Sequence, residues 1–297
     1  MKVHVAIVGI NRSLRFTWPS IEKQVLTPLR SRRGLSITVS LTLIDPPNGT
    51  VVNDRSSEQG SLDDFVPDTL QDQDLLLIDQ GALDRDIEKK FSDFEGFNDP
   101  WSDDKSSLRN LARFLSALST TYEASIKANN PDVVIFLRPD VLLLDRLYIG
   151  NRVSALKIID RFTRGAAILP TWGRQRGLND RFAVLSGRAV SAYFQRIELL
   201  SKRFFDGKSP NSEKLLKEAL RGIKVSNSVY ARMPRVRIGG VIAYRDKPMA
   251  EGSNLGFRSS IYSARIKRLA RLVLSATNIS TKSLKGRASQ SKGGGAE

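Results

Sequence analysis

The chain opens on a short apolar run, Val3-His4-Val5-Ala6-Ile7-Val8-Gly9-Ile10, whose β-branched residues and late glycine predict a buried first strand of an α/β sheet. After the polar turn Asn11-Arg12-Ser13, apolar Ile21, Val25, Leu26 and Leu29 recur at helical spacing across 17–31, with Pro19 tolerable in a first turn. Period-two alternation over 36–44 predicts a second strand, which Pro46-Pro47-Asn48-Gly49 ends. Leu108, Leu111, Leu115, Leu118 and Tyr122 mark one stripe of a helix over 105–128. The strongest strand, Val133 to Leu137, stops at Arg138-Pro139-Asp140 before apolar residues resume at Val141 to Leu144. Proline cannot donate to a central ladder, so this break sets Arg138 and Asp140 at a strand end. Ala166 to Leu169 and Phe182 to Leu185 are two further strands around a Gly- and Arg-rich loop. Helical patterns follow over 187–204 and 212–221, the second closed by Gly222, and then β-like, Arg-rich sequence over 223–243. The alternation predicts an α/β fold with a mainly parallel or mixed sheet flanked by helices on both faces.

Charge alters this picture at two places. Residues 54–104 carry sixteen Asp and Glu against four Lys and Arg and are rich in turn formers. They read as a long surface excursion, with Leu75 to Ile78 as a short strand or helix inside it. Residues 256–297 hold nine Lys and Arg against Glu297 alone. Within them, Ile266, Leu269, Ala270 and Val273 fall on one side of a basic amphipathic helix over 261–274, suited either to an anionic membrane or to packing on the domain. From about Ser275 the Ser, Lys, Gly and Thr-rich tail is expected to be disordered. The expected organisation is one domain over 1–255 and a basic helix and tail over 256–297.

The net charge of +16 points to an anionic partner: nucleic acid, an anionic membrane surface or a phosphorylated substrate. The bland alternative is a solvated surface that keeps the protein soluble. With 40% hydrophobic residues the chain can build a substantial core. No run reaches the roughly 18 to 20 apolar residues of a membrane span, and no signal peptide is legible, so a cytoplasmic location is expected. The absence of cysteine excludes disulfides, thiolate zinc sites and cysteine nucleophiles, and a lone histidine, His4, leaves little histidine chemistry.

No GxxxxGK[ST] occurs, and Gly-Ile-Asn-Arg-Ser after the first strand is not a dinucleotide turn, so kinase, ATPase and dehydrogenase readings lose support. Three polar clusters sit where open α/β sheets bind ligands: Asn11-Arg12-Ser13, Arg138-Pro139-Asp140 and Asn179-Asp180-Arg181. Arginine forks suit phosphate oxygens, and a carboxylate at a strand end can hold Mg²⁺, Mn²⁺ or a sugar hydroxyl. Each cluster is also compatible with a turn, a helix cap or a structural ion pair.

The order Gly9-x-x-Arg12-Ser13, Asn53-x-Arg55-Ser56-x-Glu58, Leu137-Arg138-Pro139-Asp140-Val141 and Gly177-Leu178-Asn179-Asp180-Arg181-Phe182-Ala183 resembles a family of GT-A-like glycosyltransferases of polysaccharide gene clusters. Glu213-x-x-Leu216-x-x-x-Leu220 and Arg235-Val236-Arg237 continue it, so that it spans roughly residues 3–240. The resemblance implies a GT-A mixed sheet whose Rossmann-like half binds a nucleotide-sugar donor and passes the sugar to a glycan or lipid-linked acceptor. It implies Gly9, Arg12, Arg55, Arg138 and Asp140 on the donor side, with Glu58 orienting Arg55. Asp180 is implied on the acceptor side as general base or orienting group, supported by Asn179 and Arg181. Metal-dependent members carry Asp-x-Asp where this chain has Arg138-Pro139-Asp140. Asp140 would then bind Mn²⁺ or Mg²⁺ alone, or Arg138 would neutralise the diphosphate in the metal's place. Trp172 is placed either to stack on a sugar or base or to anchor its loop.

Two other functions remain open: a non-catalytic protein binding nucleic acid or an anionic membrane through its basic surface, and a transferase-like scaffold without catalysis. Only 7% of residues are aromatic and no nucleic-acid-binding motif is present, which favours a small-molecule site. A transferase of lipid-linked acceptors would work in the cytoplasm, peripheral to the inner membrane face. Convergence of Arg12, Arg138, Asp140 and Asp180 on one cleft is what the transferase reading requires.

Overall fold

The computed structural model describes residues 1–46, 65–70, 74–91, 96, 99, 102–163, 165–173, 176–205 and 210–251. Strand β1 (Lys2–Ile10) leads into helix α1 (Leu14–Ile21), which continues through a wider turn at Glu22–Leu26 and a last turn at Thr27–Arg30. Strand β2 (Ser36–Asp45) follows, then β3 (Leu75–Asp79), helix α2 (Gln80–Lys90) and the long helix α3 (Ser106–Thr121). Strand β4 (Val133–Leu137), helix α4 (Ile149–Thr163) and strands β5 (Gly165–Pro170) and β6 (Phe182–Gly187) come next. Helices α5 (Arg188–Phe194), α6 (Glu198–Phe205) and α7 (Ser212–Ala219) precede strand β7 (Lys224–Val229).

These elements form a Rossmann-like α/β fold around one seven-stranded mixed sheet of order β3-β2-β1-β4-β6-β5-β7. Strands β3, β2, β1 and β4 are mutually parallel, and β7 is parallel to β5. Strand β6 pairs antiparallel with both neighbours, β4 and β5. The register puts Ile7 beside Leu137 and Leu137 beside Phe182, so the ends of β1 and β4 and the start of β6 share one edge of the sheet. The chain leaves β1 toward β2 on one side and β4 on the other, and this switch opens a crevice beyond the strand ends.

Both faces of the central strands are covered, which is why they read as continuous apolar runs rather than alternating ones. Ala6, Val8, Val134, Phe136, Ala183 and Leu185 pack in one cluster with Leu83 and Ile87 of α2, Leu108 and Leu115 of α3, Tyr193 and Phe194 of α5 and Leu215 of α7. Val5, Ile7, Ile135 and Leu137, which point the other way, are equally buried.

Several expectations are refined. Within the acidic segment, Leu75 to Ile78 form the expected short strand at the sheet edge, and the residues after it form helix α2, which Asp79 caps by accepting from the Ala82 N–H at 2.6 Å. Helix α4 was not legible, although Ile149, Val153 and Leu156 are buried along it. The helical stretch 187–204 is two helices broken at 195–197. Val141 to Leu144 are extended but flank the sheet, pairing with 232–235 through Leu142 N–H to Pro234 O at 3.0 Å and Leu144 N–H to Arg232 O at 3.1 Å. The basic helix 261–274 and the tail lie outside the described residues, as do Arg55 and Glu58. No helix among the described residues is long and apolar enough to cross a membrane.

Candidate active site

The site begins with a close approach that only glycine permits. A Cβ on Gly9 would lie 2.9 Å from Cδ of Pro139, so its absence lets the turn after β1 rest on the turn after β4. Thr17 then donates to Pro139 O at 2.6 Å, and Ser13 donates to Val236 O at 2.9 Å, fixing the first turn of α1 against both neighbours. Arg12 is thereby carried onto Asp140, its Nη2 2.6 Å from Oδ2.

Asp140 is only 2% exposed and is bound from two sides. Arg138 closes a fork on it, Nε to Oδ1 and Nη2 to Oδ2, each at 2.9 Å, while Arg12 takes Oδ2 as well. Burial alone would push the Asp140 carboxyl up. The charges of Arg138, Arg12 and Arg235 outweigh it and hold Asp140 well below the usual carboxylate range. For Arg138, burial works against the charge and Asp140 more than restores it, so the guanidinium stays ionised. Its plane also lies over Phe114, 5.4 Å from the ring centroid. Arg235 is anchored from behind, its Nε and backbone N–H both 2.9 Å from Oδ2 of Asp246.

These groups line one cavity of about 280 Å³ together with Arg237 and an apolar wall that includes Ile10, Ile44, Leu111 and Phe114. The same cavity is lined by Asp180, Ser212 and Glu213. Asp180 precedes β6, and it reaches this edge because β6 runs opposite to β4: the loop before β6, not the loop after it, meets the ends of β1 and β4. Ser212 Oγ donates to Oδ2 of Asp180 in a short hydrogen bond. Asn211 caps α7 by accepting from the Lys214 N–H at 3.0 Å, which presents Glu213 in the helix's first turn. Gly177 packs on that turn so tightly that a Cβ there would fall 2.1 Å from the Glu213 carbonyl atoms, and Leu178 N–H donates to Glu213 O at 2.9 Å. The Glu213 carboxyl is pushed up to about 7, first by burial and then by the charge of Asp180, against the opposing pull of Arg181 and Arg138.

The structure thus brings Gly9, Arg12, Arg138, Asp140 and Asp180 together on one cavity. Asn179 and Arg181 do not line it. Asn179 is consumed in its own loop, Nδ2 donating to Trp172 O at 2.8 Å and Oδ1 accepting from Arg181 N–H at 2.9 Å. Arg181 points the other way, donating to Met233 O at 2.9 Å and to Asp246 at 3.0 Å, with its guanidinium 5.1 Å from the Trp172 ring centroid. Neither is free to touch a substrate, which corrects their expected catalytic role to one of holding the loop. Trp172 is a buried anchor, 5% exposed, donating to Ala231 O at 2.9 Å rather than stacking at the cavity.

In the sequence, Arg235, Arg237 and Glu213 belong only to the spacing of the family resemblance. What makes them site residues is tertiary, and no local signal in the chain announces it.

As a cation site, the donor set is poor. Asp140 already accepts three guanidinium N–H bonds, and among the described residues no three His, Asp or Glu side chains gather as metal ligands would.

Among solved structures, the chain is similar to mouse xyloside xylosyltransferase 1 in its apo form, at 9% sequence identity and a TM-score of 0.34, over 74% of this chain and 82% of that one. No protein-family model matches the chain, and no curated protein matches it.

Proposed function

We propose that this protein is a glycosyltransferase that moves a sugar from a nucleotide-sugar donor to a hydroxyl of a glycan or lipid-linked acceptor. The observation that carries this reading is the make-up of one cavity: Arg12, Arg138, Arg235 and Arg237 line it together with the carboxylates of Asp180 and Glu213. A nucleoside diphosphate leaves with developing negative charge, and preorganised guanidinium groups stabilise such charge electrostatically. The apolar wall of Ile10, Ile44, Leu111 and Phe114 suits the flat face of a nucleobase or sugar. In the same cavity, a carboxylate is available for the proton that the acceptor hydroxyl must lose.

Because Asp140 spends both oxygens on arginines, it does not fit a resident Mn²⁺ or Mg²⁺, and in this reading the arginines do the neutralising work. Asp140 then acts as the buried counter-charge that sets the two guanidinium forks in place. A concave cavity of about 280 Å³ built at successive strand ends also favours a small anionic ligand over a nucleic-acid backbone, which needs an extended basic track.

The test is calorimetric titration of the full chain with uridine, guanosine and thymidine diphosphates and their sugars, with and without Mn²⁺, repeated on Arg138→Ala. Saturable binding that is unaffected by Mn²⁺ and weakened about tenfold or more by the substitution is expected. Absence of any nucleotide binding, with salt-sensitive binding to nucleic acid or anionic vesicles instead, would sink the enzyme reading.

A further inference from the structure

We propose that Glu213 is the general base of the transfer, receiving the proton of the acceptor hydroxyl, while Asp180 orients and tunes it. This assignment rests on the transferase reading above.

The geometry separates two carboxylates that the chain places 33 positions apart, at Asp180 and Glu213. Both line the same cavity as the guanidinium cluster. Asp180 is buried and committed: one oxygen accepts from Ser212 Oγ, and its backbone carbonyl accepts from the Tyr193 hydroxyl at 3.3 Å. Glu213 is half-buried; its carboxylate accepts from its own backbone N–H, and among the described residues no other side chain hydrogen-bonds it. Its backbone is held firmly, clamped by Gly177 and bonded to Leu178 in the same loop that carries Asp180. A rigid backbone under a carboxylate that no other side chain occupies is what a base that must meet an incoming hydroxyl requires.

The electrostatics agree with this division. A base working near neutral pH is most effective when its own pKa lies close to that pH. Burial and the Asp180 charge bring Glu213 to about 7, with Arg181 and Arg138 opposing them. Its own backbone N–H opposes the rise as well, and Ser212 and Lys214 stand beside it on α7.

In the step itself, the acceptor O–H bond breaks and its proton passes to a Glu213 oxygen. The acceptor oxygen bonds to the anomeric carbon, and the bond from that carbon to the diphosphate oxygen breaks. The electron pair leaves with the nucleoside diphosphate, whose charge faces the four arginines. With no acceptor present, water takes the same place and the donor is hydrolysed.

The assay follows hydrolysis of whichever diphosphate sugar of the panel binds, across pH 5 to 9, in wild type and in Glu213→Gln and Asp180→Asn variants whose folding is checked by thermal melting. Wild-type kcat is expected to rise with pH and level off above about 7, because the base must be ionised to work. Glu213→Gln should lower kcat by about 10²-fold or more and remove the rising limb, with donor Kd held within about threefold. Asp180→Asn should retain a limb but move it to lower pH, since the charge that raises Glu213 is gone. A Glu213→Gln enzyme that keeps the limb or near-wild-type kcat overturns the assignment while leaving the transferase reading intact. Wild type that binds no donor overturns both.

Discussion

Arg12 and Asp140 stand 128 positions apart in the chain and meet at 2.6 Å in a pocket that leaves Asp140 almost no solvent. Their contact ties the turn after β1 to the turn after β4, so the walls of the crevice are braced by an ion pair as well as by sheet hydrogen bonds. A buried pair of this kind is costly to break from one side, because the charges left behind lose their compensation.

Asp140→Asn is therefore expected to destabilise the fold by about 3 kcal/mol, since the neutral amide removes the counter-charge of two guanidinium groups and sets its NH2 against an arginine N–H. Urea unfolding of the two proteins at pH 7.5 measures it. A loss near zero would show that Arg12 and Arg138 hold their positions without the carboxylate.

Gly177→Ala should cost about 1 to 3 kcal/mol, because the added methyl meets the first turn of α7 and must push it away. The same substitution displaces Glu213, so activity should fall by more than the stability loss alone explains. Thermal melting and donor hydrolysis on one preparation compare the two effects.

His4 is buried between β1 and β2, its ring nitrogens 2.8 Å from Thr38 Oγ1 and Ser40 Oγ, and burial lowers its pKa to about 4. The folded protein thus binds this proton less readily than the unfolded chain, whose histidine titrates near 6.5. The stabilisation is whole above pH 6.5 and is lost as pH falls toward 4, about 3 kcal/mol in all. Unfolding free energies at pH 7.5 and pH 4 should differ by that much more in wild type than in His4→Gln.

Trp172→Phe removes the indole donor to Ala231 O and should cost about 1 kcal/mol of stability. Donor affinity by calorimetry should be unchanged. A weaker donor Kd would instead place the indole against the ligand.

The buried strands were legible because residues covered on both faces write themselves as apolar runs: Val3 to Val8 and Val133 to Leu137 needed no further information. Pro139 marked a strand end for a purely local reason, its missing N–H. Helix α2 was hidden by composition, since Leu83, Ile87 and Phe91 carry the helical spacing but stand among acidic residues that read as loop. In α4, Gly150 just inside the first turn obscured a start that Ile149, Val153 and Leu156 otherwise signal. The site was half legible. Arg12, Arg138, Asp140 and Asp180 lie next to predicted strand ends, whereas Glu213 becomes a cavity residue only through its distant contacts with Gly177 and Leu178.

The reversed strand β6 has a further effect on how such a molecule can change over generations. Residues before 141 furnish β1, β4 and the arginine pair, while the loop into β6 and the start of α7 furnish the two carboxylates. On the transferase reading proposed above, the carboxylates come from stretches of chain separate from Arg12 and Arg138, although Arg235 and Arg237 follow both. Substitutions around Asp180 or in 211–213 would then alter the choice of acceptor while Arg12, Arg138 and Asp140 are inherited unaltered.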